Sequence, residues 1–167
     1  MTSLYAVTVP VMVRALNNLD HLLAKAAQSG IDEAELVGAR LIGDMLPLSK
    51  QVQIASDTAR GMAVRVGQAE AVSMADDETT IAELRARVAK TIAYLEGVAP
   101  AGFENRDDAE VILKLPNTEM KFTGLSFVTD FALPNFFFHV SIAYALLRMK
   151  GVALGKMDFL AGNAAPT

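Results

Sequence analysis

Apolar residues recur at steps of three and four over four long stretches of this chain, the spacing that gathers side chains on one face of an α-helix. Val9, Met12, Leu16, Leu19, Leu23 and Ala26 form the first stripe, with Pro10 in or near the first turns and Gly30 at its end. The following IDEAELVGARL reads as a short helical or irregular connection. Leu48, Val52, Ala55, Ala59, Met62 and Val66 form the second stripe, between Pro47 and a stop at Gly67. Ile81, Leu84, Val88, Ile92 and Leu95 form the third, closed by Gly97. Thr80 and Glu83 have the spacing of a capping box, and Asp76, Asp77 and Glu78 suit the positive end of the helix dipole.

The period changes between Glu110 and Gly124. In EVILKLPNTEMKFTG two alternating runs flank the turn sequence PNTE, which predicts a two-stranded hairpin that must pack on the helices to be stable. The fourth helix starts near Gly124 to Ser126 and runs to Arg148, before a stop at Gly151. Pro134 lies inside it, so the helix either kinks there or starts anew. Ala161 to Thr167 reads as a loose tail. Four amphipathic helices and one hairpin make an all-α fold, a four-helix bundle with a small β-hairpin before the last helix, in one domain over residues 1–167.

Two polar residues interrupt the last apolar stripe. Phe131, Asn135, His139, Ile142, Leu146 and Met149 share a face, so Asn135 and His139 point inward, one turn apart. Buried groups of this kind need hydrogen-bond partners: each other, a carbonyl near Pro134, a water, or a ligand. On the second helix Gln53 and Asp57 are also four apart, with Arg60 one turn on. Asp57 either pairs with Arg60 at the bundle rim, or it and Gln53 face His139 across the interior. In the second case Asp57 orients the imidazole and His139 becomes a general base. His21 shares a polar face with Arg14, Asn17, Asn18 and Lys25 and is expected at the surface, without a role. Phe136, Phe137 and Phe138 span about 200° of a helix, so they cannot all face one core.

Composition narrows the function classes. With 52% hydrophobic and 20% charged residues in a chain of 167, burial can offset chain entropy. The net charge of −4 and the lack of a basic stripe argue against a nucleic-acid partner. The absence of cysteine excludes disulfides, thiolate nucleophiles and zinc–thiolate sites. Two histidines cannot build a three-histidine metal site, and no phosphate-loop, nucleophile-elbow or HExxH motif occurs. The first residues lack a charged leader, and the apolar run from Phe131 to Leu147 falls short of the roughly 20 residues that span a bilayer. A cytoplasmic protein without a membrane partner is expected.

The segments DMLPLSKQVQIASDTARG (from Asp44), DETT (from Asp77), FALPNFFFHVSIAYALLR and LGKMDFL (from Leu154) give the chain its family resemblance. It resembles, over nearly its full length, the uncharacterised bacterial domain-of-unknown-function family catalogued as nineteen-ninety-three, a divergent branch of the DinB-like superfamily. That resemblance implies a four-helix bundle, a divalent metal on three histidines, group transfer or isomerisation with small thiols in some members, and homodimers. One such histidine lies on the second helix and two form an HxxxH pair on the last. Aligned on Leu146, Leu147, Arg148 and Gly151, His139 takes the second position of that pair and Asn135 the first, while the second-helix histidine falls within a residue or two of Gln53. Amides bind transition metals more weakly than imidazole. The expectation is therefore a small-molecule-binding bundle without a cofactor, its pocket lined by Asn135, His139, Gln53 and Asp57, with His139 and Asp57 as candidate catalytic groups. The alternatives are a metal-dependent thiol transferase or hydrolase with the metal on His139, and a non-catalytic homodimeric module.

Overall fold

The computed structural model describes residues 3–164. Four long helices form the bundle: α1 (Leu4–Ala27), α3 (Leu48–Arg65), α4 (Ile81–Glu96) and α6 (Leu133–Met149). A short α2 (Glu33–Val37) lies in the first connection. α1 packs on α4 and α6, and α3 packs on the same two, so α1 and α3 are diagonal across the core. Met12, Leu16, Leu19, Leu23, Val52, Ala55, Ala59, Leu84, Val88, Ala143 and Leu146 fill the centre, as the apolar stripes require.

Local chemistry sets the helix ends. Ser3 caps α1 by accepting from the Ala6 N–H, and Thr80 and Glu83 close the expected capping box on α4. α3 ends where the pattern predicts, but Gly67 is not there for its backbone freedom. The positive φ falls on Gln68 at 53°, and a Cβ on Gly67 would meet the Phe103 ring at 2.4 Å. Gly67 is small because an aromatic ring rests on it.

β1 (Glu110–Leu115) and β2 (Thr118–Thr123) form the predicted hairpin, antiparallel, with Leu115 paired to Thr118 across a Pro116–Asn117 turn. Val111 and Leu113 bury one face of β1, and Phe122 of β2 packs edge-on against Phe127 at 5.6 Å.

Helix runs on without a break from Gly124 to Met149, close to the expected start near Gly124–Ser126 and end at Arg148. α5 (Gly124–Ser126) passes into a π-helical turn, Phe127–Ala132, and then into α6. In that turn the Leu133 N–H bonds back to the Val128 carbonyl, five residues away. Proline in a regular helix collides with the carbonyl four residues earlier, here that of Asp130, and the wider turn gives the Pro134 ring room. The 26-residue run is long and apolar enough to cross a membrane, by length and composition. In the bundle its inner face packs on α1 and α3. That face is centred on Phe136, Val140, Ala143 and Leu147, about one residue round from the expected stripe, and Met149 is half exposed. Phe136 is buried, Phe137 half-buried and Phe138 exposed, which resolves the aromatic run.

The C-terminal region is more ordered than a loose tail as far as it is described. α7 (Lys156–Ala161) lies on α1 and continues into a turn at Gly162–Ala164; residues 165–167 lie outside the described residues. Asn18 donates to the Phe159 carbonyl at 2.9 Å. His21 is accordingly not the free surface residue its polar face suggests: Nε2 lies 2.8 Å from Asp158, and Lys25 reaches the same oxygen at 3.0 Å. Burial alone would raise the Asp158 pKa, but the Gly155 N–H, His21 and Lys25 together hold it far below the usual carboxylate range.

Candidate functional site

His139 stands on α6 at the edge of the core, 8% exposed, and its partner is Gln51 of α3. The Gln51 Oε1 lies 2.7 Å from His139 Nδ1. A second bond fixes the roles in the first. The Gln51 amide nitrogen donates to the Leu46 carbonyl at 2.9 Å, and a carbonyl can only accept. The carboxamide oxygen must therefore face the imidazole, so Nδ1 carries the proton and Nε2 the lone pair. Nε2 has no protein partner among the described residues and is not one of the sealed, unpartnered atoms of the interior. Burial lowers the His139 pKa, which keeps the ring neutral at pH 7. One turn earlier, Asn135 donates from Nδ2 to Thr58 Oγ1 of α3 at 2.8 Å.

Gln53 and Asp57 do not join this group, contrary to the reading that set them opposite His139. Gln51 and Gln53 flank Val52 by about 100° on either side. Gln51 and Thr58, seven apart, look toward α6, whereas Gln53, Asp57 and Arg60 look toward α4. Gln53 is buried and donates to Glu78 at 2.8 Å. Asp57 accepts from Arg60, the simpler of the two expected arrangements, and from Arg87 at 2.7 Å. With both cations on its carboxylate it has no part in orienting His139.

These residues belong to a second polar cluster, which the apolar periodicity gives no sign of. Arg87 of α4 is 2% exposed, yet it bonds Glu78 at 2.9 Å and the Ala75 carbonyl at 2.8 Å, with Asp76 3.0 Å away. Arg60 bonds the Val72 carbonyl. Together they pin the α3–α4 connection across the groove between the two helices. A cleft of about 630 Å³ opens between that connection and α4, lined by Met74, Glu78, Glu83, Arg87, Lys90 and Tyr94 among others. Its polar groups are largely committed already: Glu78 to Arg87 and Gln53, Glu83 to the α4 cap, and the Tyr94 hydroxyl to the Glu70 carbonyl.

The donor set at His139 is one imidazole, two carboxamides and a hydroxyl. Among the described residues no group of three or more His, Asp or Glu side chains is placed to hold a metal ion. That set does not fit a divalent metal held by three imidazoles.

Residues 4–160 match the family described as Domain of unknown function (DUF1993). A solved structure described as a DinB family member protein from Shewanella denitrificans superposes with a TM-score of 0.85 at 37% identity, covering 95% of this chain and 92% of that one. Among curated proteins no match is found.

Proposed function

Because the chain belongs to the DUF1993 family and shares its fold with a DinB family member, we propose that it is a small-molecule-binding bundle that works through His139 without a three-histidine metal site. One observation carries this reading: the Leu46–Gln51–His139 series of hydrogen bonds presents a neutral imidazole with its Nε2 lone pair unused. Such a nitrogen can accept a hydrogen bond from a ligand, or take a proton from one as a general base. Where the resemblance puts two further histidines, at Asn135 and within a residue or two of Gln53, this chain has amides, and Gln51, two residues from Gln53, is the one that meets His139. Asn135 is bonded to Thr58, and Gln53 is turned to Glu78.

The metal-dependent transferase or hydrolase is the rival, and one feature favours it. Metal-binding histidines are commonly held by a hydrogen bond at the other ring nitrogen, as His139 is. The test is metal content of the protein purified without chelator, beside His139→Ala. We expect no stoichiometric metal in either. A metal present in the wild type and absent from the variant would overturn the proposal.

A further inference from the structure

The geometry points to a ligand class for the His139 site: a small molecule with an apolar body and one hydroxyl or N–H donor, as against a carboxylate or phosphate. This inference rests on the reading of His139 just given and makes it more specific.

Three features of the site combine. The tautomer is set from behind, because the Leu46 carbonyl turns the Gln51 amide and the Gln51 oxygen claims the Nδ1 proton. Nε2 therefore meets a ligand as an acceptor. A donor completes it, whereas an anion would set lone pair against lone pair. Protonating the ring to receive an anion is opposed by burial.

Among the described residues, no cationic side chain is hydrogen-bonded to His139, Gln51 or Asn135. Gln51, Asn135 and Thr58, the polar side chains bonded at the site, are all neutral. Lys50, next to Gln51 in the chain, is turned to Asp76 at 3.6 Å.

The exposed side chain beside the imidazole is apolar. Phe138 is 52% exposed, and its ring stands edge-on to the imidazole with centroids 5.2 Å apart. Leu46, whose carbonyl starts the hydrogen-bond series, is also exposed at its side chain. An apolar body can lie against the exposed Phe138 ring, beside the imidazole, while its donor reaches Nε2. The association is a hydrogen bond, with no covalent change in protein or ligand.

Phenol, anisole and benzoate are matched probes: one ring, bearing a donor, a blocked donor or an anion. They are titrated into the full ¹⁵N-labelled chain while the imidazole nitrogens of His139 are followed by NMR, with His139→Ala identifying the signals. Phenol is expected to shift Nε2 in a saturable way. Anisole and benzoate are expected to bind at least about tenfold more weakly, the worth of one hydrogen bond. Benzoate binding as well as phenol would overturn the ligand class and leave the metal-free reading standing. Failure of phenol to shift a ring whose spectrum shows protonated Nδ1 and free Nε2 would also overturn the class. A metal-bound Nε2 signal in the untreated protein would overturn both the class and the reading beneath it.

Discussion

The Gln51 carboxamide oxygen meets His139 Nδ1 at 2.7 Å across the α3–α6 interface, and the Leu46 carbonyl decides which face of the amide does so. Replacing Gln51 with Glu puts a carboxylate where a neutral oxygen stood, which favours the imidazolium. The His139 pKa, held down by burial in the wild type, is expected to rise in Gln51→Glu, followed by NMR titration of the ring. Gln51→Leu leaves a buried N–H unpartnered and is expected to cost about 1–3 kcal/mol in urea unfolding. An unchanged pKa in Gln51→Glu would show that the two side chains do not meet in solution.

Stability should depend on pH through the same ring. The folded-state pKa of His139 lies below the ordinary 6.5, so near and below that value the unfolded chain binds a proton the folded chain refuses. Its contribution is intact above 6.5, declines as pH falls through the interval between the two pKa values, and then levels off. Urea midpoints from about pH 7.5 to about pH 5 should fall more steeply for the wild type than for His139→Gln. Parallel curves would rule this coupling out, because His21 is common to both proteins.

Arg87 should matter far more to stability than a surface arginine. Removing it leaves the largely buried Glu78 without a cation and Asp57 with Arg60 alone, and takes away the bond to Ala75. Arg87→Met is expected to lose about 3–5 kcal/mol and to expose residues 66–80 to protease. Arg85→Met, which breaks the partly exposed pair with Asp20, is expected to stay within about 1 kcal/mol. Equal effects of the two substitutions would contradict this assignment.

α7 carries no fully buried residue and is held to α1 largely by polar bonds at its first turn. Asp158→Asn is expected to speed hydrogen exchange across residues 156–161 while α3 and α4 keep their protection. Because the Asp158 pKa is depressed, its contribution is complete above the ordinary 3.8 and lost as pH falls below that value. Unchanged exchange in the variant would assign the docking to Phe159 and the Asn18 bond alone.

The bundle and the hairpin were legible because burial follows period: four stripes at helical spacing and one alternating stretch identify the elements that must pack. The pairing within the site was not, for a geometrical reason. Gln51 and Gln53 lie on opposite flanks of the Val52 stripe, and only the handedness of the bundle says which flank meets α6. A pattern of apolar residues is blind to that choice. Arg87 escaped for a related reason: it sits beside Val88 inside an apolar face, where charge alone does not reveal its partners. Ala75, Asp76 and Glu78 of the connection and Asp57 of α3 supply them, none at the three- or four-residue spacing that a helix brings together. The α1 side of His21 read as solvent because α7, its cover, comes from the other end of the chain.

The π-helical turn at Phe127–Ala132 holds one residue more than an α-helical turn of the same rise, which makes it slack stored in the chain just ahead of His139. Deleting one residue there would draw the slack in and keep Asn135 and His139 facing Thr58 and Gln51, but only with Pro134 also replaced, because an ordinary helix returns its ring to the carbonyl four residues earlier. Deleting one residue between Asn135 and His139 finds no slack to draw on and turns the two side chains about 100° apart. The register of the site can thus survive a change of chain length on its N-terminal side once Pro134 is relieved, and is fixed to the single residue within.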